Sequence, residues 1–322
     1  MLQQMNRYLE KALPFMTPTS VILGILLSKY IIDYTFLVPW VFALITFNGS
    51  LKSNFLSLKH VMTHPLPMFV ALFILHIIMP IWAFSLGHLI FPHDAFTITG
   101  LVLAVVIPTG VTSMIWVSIY SGNTVLALSI VIIDTILSPF IVPFSVSFFT
   151  GSSIDIDVWS MMNGLITMIV IPSLIAMFLN QATKGKIADV WAPRLAPFSK
   201  IAVAVVVMLN SSKIAPYVMD INFKLILIAL TVFMIAASGY LLSWYIGRLL
   251  KWKKEDVITL TFTGGMRNIS AGAVIAVTYF PSAVAVPVIL GMLFQQMLAS
   301  FYGSFISKYY RKHAEEDIAA VS

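Results

Sequence analysis

Apolar stretches of about twenty residues recur along this chain from Pro14 onward, separated by short polar punctuation. No other feature constrains the fold as strongly. A helix of that length crosses the hydrocarbon core of a bilayer, where no water satisfies free backbone N–H and C=O groups, so each crossing segment has to be helical. The chain is 59% hydrophobic and 10% charged, whereas a soluble domain carries about 25% charged residues. Residues 1–322 are therefore expected to form a single all-α integral membrane domain. Cysteine is absent, which excludes disulfides, thiolate metal sites and cysteine nucleophiles. The net charge of +6 comes from basic residues beside helix ends, and no basic face interleaved with aromatics lies outside the membrane. Membrane lipid is thus an expected partner and nucleic acid is not.

Ten spans are expected, at Leu13–Ser28, Phe36–Asn48, Pro65–Phe91, Phe96–Tyr120, Asn123–Phe149, Val158–Gln181, Pro197–Pro216, Asn222–Gly247, Glu255–Phe280 and Ser282–Tyr309. The second is short and borrows Tyr30–Thr35 to cross. A surface helix over Met1–Ala12 leads into the first. Placing alternate loops on opposite sides puts Arg7, Lys11, Lys52, Lys59, Lys184, Lys186, Arg194, Lys200, Arg248, Lys251, Lys253, Lys254, Lys308, Arg311 and Lys312 on one face. The other face has only Lys29, Lys213 and Lys224. This asymmetry predicts a multi-pass protein of the plasma (inner) membrane with both termini cytoplasmic.

Five spans in residues 1–150 and five in 151–322 give an odd number per half, so the second half enters the membrane upside down relative to the first. That is an inverted repeat. The fourth helix of each half carries a glycine- and proline-bearing interruption, Ile107-Pro108-Thr109-Gly110-Val111-Thr112-Ser113 and Thr263-Gly264-Gly265-Met266-Arg267-Asn268. These predict broken helices 4 and 9 crossing near the midplane; two merely kinked helices are the plainer reading.

At 1.5 Å per residue, Asp134 and Arg267 both lie about 16–18 Å from the cytoplasmic face. His76, Pro108, Gln295 and Gln296 reach the same depth. A charged group there costs about 2.5–3.5 kcal/mol on the insertion scale, so such residues demand a reason. A shared polar cavity is one. Half-helix N-termini near Thr112-Ser113 and Asn268 favour an anionic ligand group, and the Arg267 fork fits a carboxylate. The structural alternatives are an Asp134–Arg267 pair that neutralises itself, a neutral His76 bonded to a carbonyl, and Gln295 and Gln296 as packing glue.

Four segments resemble the bile acid:sodium symporter family: Thr263-Gly264-Gly265-Met266-Arg267-Asn268, Met79-Pro80, Pro108 to Met114, and Gly122-Asn123 through Ser129 to Ser138-Pro139. The resemblance runs along essentially the whole chain. It implies a ten-helix inverted repeat with a panel and a core domain, and a secondary transporter of a small organic anion working by alternating access. It also implies sodium ligands, and here the chain departs from the pattern. In the family's Glu-x-Gly-x-Gln-Asn, Thr263 stands for Glu and Arg267 for Gln, while Gly265 and Asn268 match. Ser113-Met114 stands for a Ser-Asn pair, His76 for a glutamine, and Ser129 keeps a fifth-helix ligand position.

A guanidinium has no acceptor and repels a cation, so one sodium site is expected to be lost and Arg267 to act as a built-in cation. Transport would then be sodium-independent or proton-coupled through Asp134 or His76. The competing reading rebuilds one sodium site around Asp134, Ser113, Ser129 and Thr112. No cofactor is expected beyond sodium or a proton as coupling ion. The chain has no His-Glu-x-x-His, no pair of intramembrane aspartates and no Ser-His couple of recognisable spacing, so no catalytic residue is assigned and an enzyme is disfavoured.

Overall fold

A computed structural model describes residues 2–53, 65–151, 154, 156–219 and 221–321. Lys59, counted above on the basic face, lies outside the described residues. Regular structure among the described residues is helical. In chain order the helices are α1 Leu2–Leu26, α2 Ser28–Ser50, α3 Pro65–Ile90, α4 Ala95–Val106, α5 Ser113–Ile119 and α6 Thr124–Thr150. They continue as α7 Val158–Ala182, α8 Lys186–Val218, α9 Phe223–Leu249, α10 Lys254–Gly265, α11 Ile269–Tyr279 and α12 Ser282–Val321.

Seven of these are long and apolar enough to cross a membrane: α2, α3, α6, α7, α8, α9 and the Ser282–Arg311 part of α12. Phe15–Leu26, α4 and α11 are shorter apolar helices. The expected surface helix and first span are one continuous helix, α1. In α2 a 3₁₀ stretch over Ile32–Leu37 joins two α segments, which supplies the length that Phe36–Asn48 lacks. Helix α8 begins at Lys186, well before the expected Pro197, because Pro193 and Pro197 sit inside it without ending it.

Helix starts follow the chemistry of short polar side chains. Asp94, Asn123, Asp157, Asn222 and Asn268 each accept the backbone N–H three residues ahead, at 2.9–3.3 Å. Two proline-linked distortions are equally local. Pro80 and Pro172 have no N–H to donate, and each follows a π-helical turn, Ile74–Ile78 and Ile166–Val170. There Met79 N–H reaches back to Ile74 O and Ile171 N–H to Ile166 O, so the extra residue is absorbed before the proline ring.

Helices α1, α2, α7 and α8 pack as one group, through α1 on α8, α2 on α8 and α2 on α7. A second group contains α3, α4, α6, α9, α10 and α12. The groups meet where α8 packs on α11 and α12 and where α7 packs on α6, within a core that includes Val206, Leu209, Ala271, Ile275, Val146 and Met161.

Candidate functional site

The two interruptions meet. Residues 107–112 separate α4 from α5, residues 266–268 separate α10 from α11, and Thr109 and Arg267 form an antiparallel β-bridge at the crossing. Gly110 N–H donates to Met266 O at 3.4 Å and Asn268 N–H to Pro108 O at 2.8 Å. Gly110 has to lack a side chain, because a Cβ there would sit 2.8 Å from Arg267 O.

Breaking a helix in an apolar medium orphans backbone groups, and several of them here find replacement partners across the crossing. In an unbroken helix Val105 O would receive Thr109 N–H. Instead Thr109 N–H goes to Asp134 Oδ2 at 2.6 Å, and Val105 O takes Arg267 Nε–H at 2.8 Å. Gly264 O, deprived of Asn268 N–H, takes Arg267 Nη1–H at 2.8 Å. Thr263 O, deprived of Arg267 N–H, takes the Thr109 hydroxyl at 2.7 Å. That hydroxyl also reaches Met266 O at 3.0 Å, and Arg267 N–H turns to Gln295 Oε1 at 3.0 Å. The crossing is therefore a closed hydrogen-bonded knot whose long side chains are Asp134, Arg267 and Gln295.

Two polar sets leave the knot in different directions. Asp134 is fully buried in α6, and its Oδ1 lies 2.6 Å from His76 Nε2 in the π turn of α3. Its two oxygens thus face an imidazole and the Thr109 amide. Buried His76 Nδ1 has no hydrogen-bond partner. Arg267, 5% exposed, spends its guanidinium on backbone carbonyls. The structural alternative of a direct Asp134–Arg267 pair thus gives way to Asp134–His76 on one side and Arg267–carbonyl contacts on the other.

A narrow cavity of about 40 Å³, little more than the liquid volume of one water, adjoins Arg267, lined by Met79, Val105, Tyr240, Gly264, Gly265 and Gln295 among others. Asp134 and His76 are not in its lining, so the polar residues of common depth do not share this cavity. Gly265 is required by the Tyr240 ring, which would collide with any Cβ.

The remaining expected residues sit nearby with separate local roles. Thr112 is exposed at the start of α5, and Ser113 behind it is fully buried with its hydroxyl unpartnered. Ser129 is fully buried and donates to Val125 O at 2.8 Å. Thr263 donates to Thr259 O at 2.8 Å, and Asn268 caps α11 through Ala271 N–H. Gln296 faces outward and accepts from Trp116 Nε1 at 3.1 Å.

Sequence reasoning passed over three features. Thr109 stood within the quoted interruption, but its hydroxyl donates across the crossing to Thr263 O and Met266 O. Tyr240, whose ring fixes Gly265 and whose hydroxyl reaches Gln295 O at 3.3 Å, lacked a motif. Asn210-Ser211-Ser212 in α8 are all fully buried, and neither amide atom of Asn210 nor the Ser211 hydroxyl has a partner. Three consecutive polar residues in an apolar span were a visible signal.

A cation would find its natural ligands here in freed carbonyl oxygens, but Val105 O and Gly264 O already accept from Arg267. The residues present do not fit a sodium ion at that position.

Residues 38–221 match the model of the Sodium Bile acid symporter family. The chain is 54% identical over 297 residues to the uncharacterized protein YbaS of Bacillus subtilis (strain 168), covering 92% of this chain and 97% of that one. It is 23% identical to the uncharacterized sodium-dependent transporter YocS of the same organism, over 79% of this chain and 78% of YocS. The probable sodium/metabolite cotransporter BASS1, chloroplastic, of Arabidopsis thaliana is 25% identical over 81% of this chain and 63% of its own length.

Proposed function

Because the chain belongs to the sodium bile acid symporter family, a family of membrane transporters, we propose that it carries a small organic anion by alternating access without requiring sodium. The observation that carries this reading is the Arg267 guanidinium seated on Val105 O and Gly264 O, the carbonyls that the two helix breaks release. A fixed cation there supplies the positive charge that a bound ion would otherwise bring, and holds the crossing together without one. Asn268, Thr112 and the half-helix N-termini of α5 and α11 offer donors to the carboxylate of the substrate. His76 and Asp134, hydrogen-bonded to each other and to the crossing through Thr109, are the groups able to hold a coupling proton.

Ten spans in two inverted halves fit this mechanism. Four packing relations support the repeat, since each recurs with its counterpart five spans on: α1–α8 with α7–α2, α3–α4 with α9–α10, α4–α12 with α10–α6, and α5–α6 with α11–α12. Helices α1, α2, α7 and α8 would form the panel, and the rest a core moving against it. Basic-residue asymmetry supports cytoplasmic termini, the orientation that goes with the proposed plasma-membrane location.

The second reading is a sodium-coupled symporter whose site is rebuilt from Asp134, Ser113 and Ser129. The unpartnered, fully buried Ser113 hydroxyl favours it, as does the description of YocS as sodium-dependent. Thermal-shift screening of 2-oxo acids and conjugated sterol anions would first select a substrate. Its uptake into proteoliposomes, with and without a sodium gradient at clamped potential, then separates the readings. Equal rates are expected; an absolute sodium requirement refutes the first reading.

A further inference from the structure

The second notable cavity lies far from the crossing, on the basic face. About 200 Å³ of space, the liquid volume of roughly seven waters, opens where the end of α5, the start of α10 and the later part of α12 converge. Its lining is Tyr120, Ser121 and Ile119 from the first, Lys254 and Ile258 from the second, and Ile306 and Ser307 from the third. No carboxylate lines it. Lys254 Nζ is held 5.3 Å over the Tyr310 ring, which restrains the ammonium near the opening. Lys251, Lys253 and Lys308 stand exposed on the neighbouring turns. Of the two acidic neighbours, Asp256 accepts from Asn123 Nδ2 at 2.9 Å and Glu255 is exposed to solvent.

Polar walls would suit many anions, but the surroundings narrow the class. The cavity floor is Ile258 and Ile306, and the surface running from it toward the membrane interior is apolar and outward-facing, with Ile115 at 58%, Ile119 at 61% and Phe301 at 64% exposure. A soluble anion makes no use of that surface. A phospholipid does, by setting its phosphate on the ammonium, its polyol on the two serine hydroxyls and its acyl chains along the isoleucines and Phe301.

We propose that this cavity binds the headgroup of an anionic phospholipid of the cytoplasmic leaflet, clasping Ser121, which follows the first helix break, to Lys254, which opens the helix leading to the second. The two interrupted helices would be tied on one side of the crossing by lipid as they are tied at the crossing by Thr109 and Arg267. The proposal uses the charge-based orientation but not the identity of the cargo or of the coupling ion.

The test needs no transport assay. Purified protein in uncharged detergent is melted with added phosphatidylglycerol, phosphatidylcholine or inorganic phosphate. Phosphatidylglycerol is expected to raise the midpoint by several degrees and the other two to leave it unchanged. Lys254→Gln and, separately, Ser307→Leu, which plugs the space without altering charge, are each expected to lose at least half of that shift. Lys186→Gln, a charge removal on α8 away from the cavity, is expected to keep it. An undiminished shift in both cavity variants overturns the proposal. So does an equal shift with phosphatidylcholine, and an equal shift with phosphate assigns the cavity to a soluble anion instead.

Discussion

Replacing Arg267 by glutamine is the most informative single change, because the structure specifies both what is lost and what is released. The guanidinium makes two hydrogen bonds of 2.8 Å, to Val105 O and Gly264 O, and the residue is buried. A glutamine amide reaches at most one of those carbonyls, so at least one buried acceptor goes unpaired at a cost of about 1–3 kcal/mol. The cost of burying the guanidinium disappears at the same time, which keeps the net loss near the lower end of that range. Carbonyl oxygens freed at a helix break, together with the new amide oxygen, are ligands that sodium accepts. Arg267→Gln is therefore expected to acquire sodium-dependent stability that the unsubstituted protein lacks. At a sodium concentration ten times the dissociation constant the gain is about 1.4 kcal/mol, and about 2–4 °C in midpoint for each kcal/mol. The assay is thermal unfolding in detergent, titrated with sodium chloride against choline chloride. A variant indifferent to sodium refutes the idea that the guanidinium occupies a cation position, as does an equal sodium shift in the unsubstituted protein.

Other changes probe the same knot and its surroundings. Asp134→Ala removes the acceptor for both Thr109 N–H and His76 and is expected to cost about 3–5 kcal/mol, whereas Asp134→Asn keeps one acceptor and is expected to cost less while altering the pH profile of uptake; equal losses by chemical denaturation would contradict this. Thr109→Val deletes the hydroxyl that serves Thr263 O and Met266 O and is expected to destabilise by about 1–3 kcal/mol, with Thr109→Ser restoring most of it. At the α4 cap, burial would raise the Asp94 carboxyl, but hydrogen bonds from Lys224 and Thr97 outweigh it and leave the pKa lowered. The unfolded chain thus holds more protons in acid, so this contribution is present above about pH 4, the unfolded value, and is lost as pH falls through the lowered one. Asp94→Asn, which still caps, is expected to flatten that acid limb by under about 1 kcal/mol, because Lys224 is exposed. The absence of native cysteine permits a direct topology test: Lys251→Cys is expected to label only from the cytoplasmic side and His93→Cys only from the other.

What was legible in the sequence was what a bilayer imposes locally. Apolar length gave the long helices and the paired Gly/Pro interruptions gave the two breaks, because each signal is carried by the segment itself. The partnerships at the crossing were not legible in the same way. Depth counting put Asp134, His76 and Arg267 on one level, but level says nothing of azimuth, and the direction of His76 depends on a π turn that shifts every later side chain in α3. Hence Asp134 met the imidazole rather than the guanidinium. Arg267 was drawn to backbone carbonyls, groups that sequence patterning never displays because every residue carries one. Tyr240 eluded sequence reading because its importance comes from a glycine on another helix.

Equilibrium binding of radioactive sodium to the purified, unsubstituted protein tests the central claim most directly, since it needs neither substrate nor transport. With Arg267 seated on the carbonyls of Val105 and Gly264, no saturable binding above that of choline-competed background is predicted. Saturable, stoichiometric sodium binding would contradict the account and return the site to Asp134, Ser113 and Ser129.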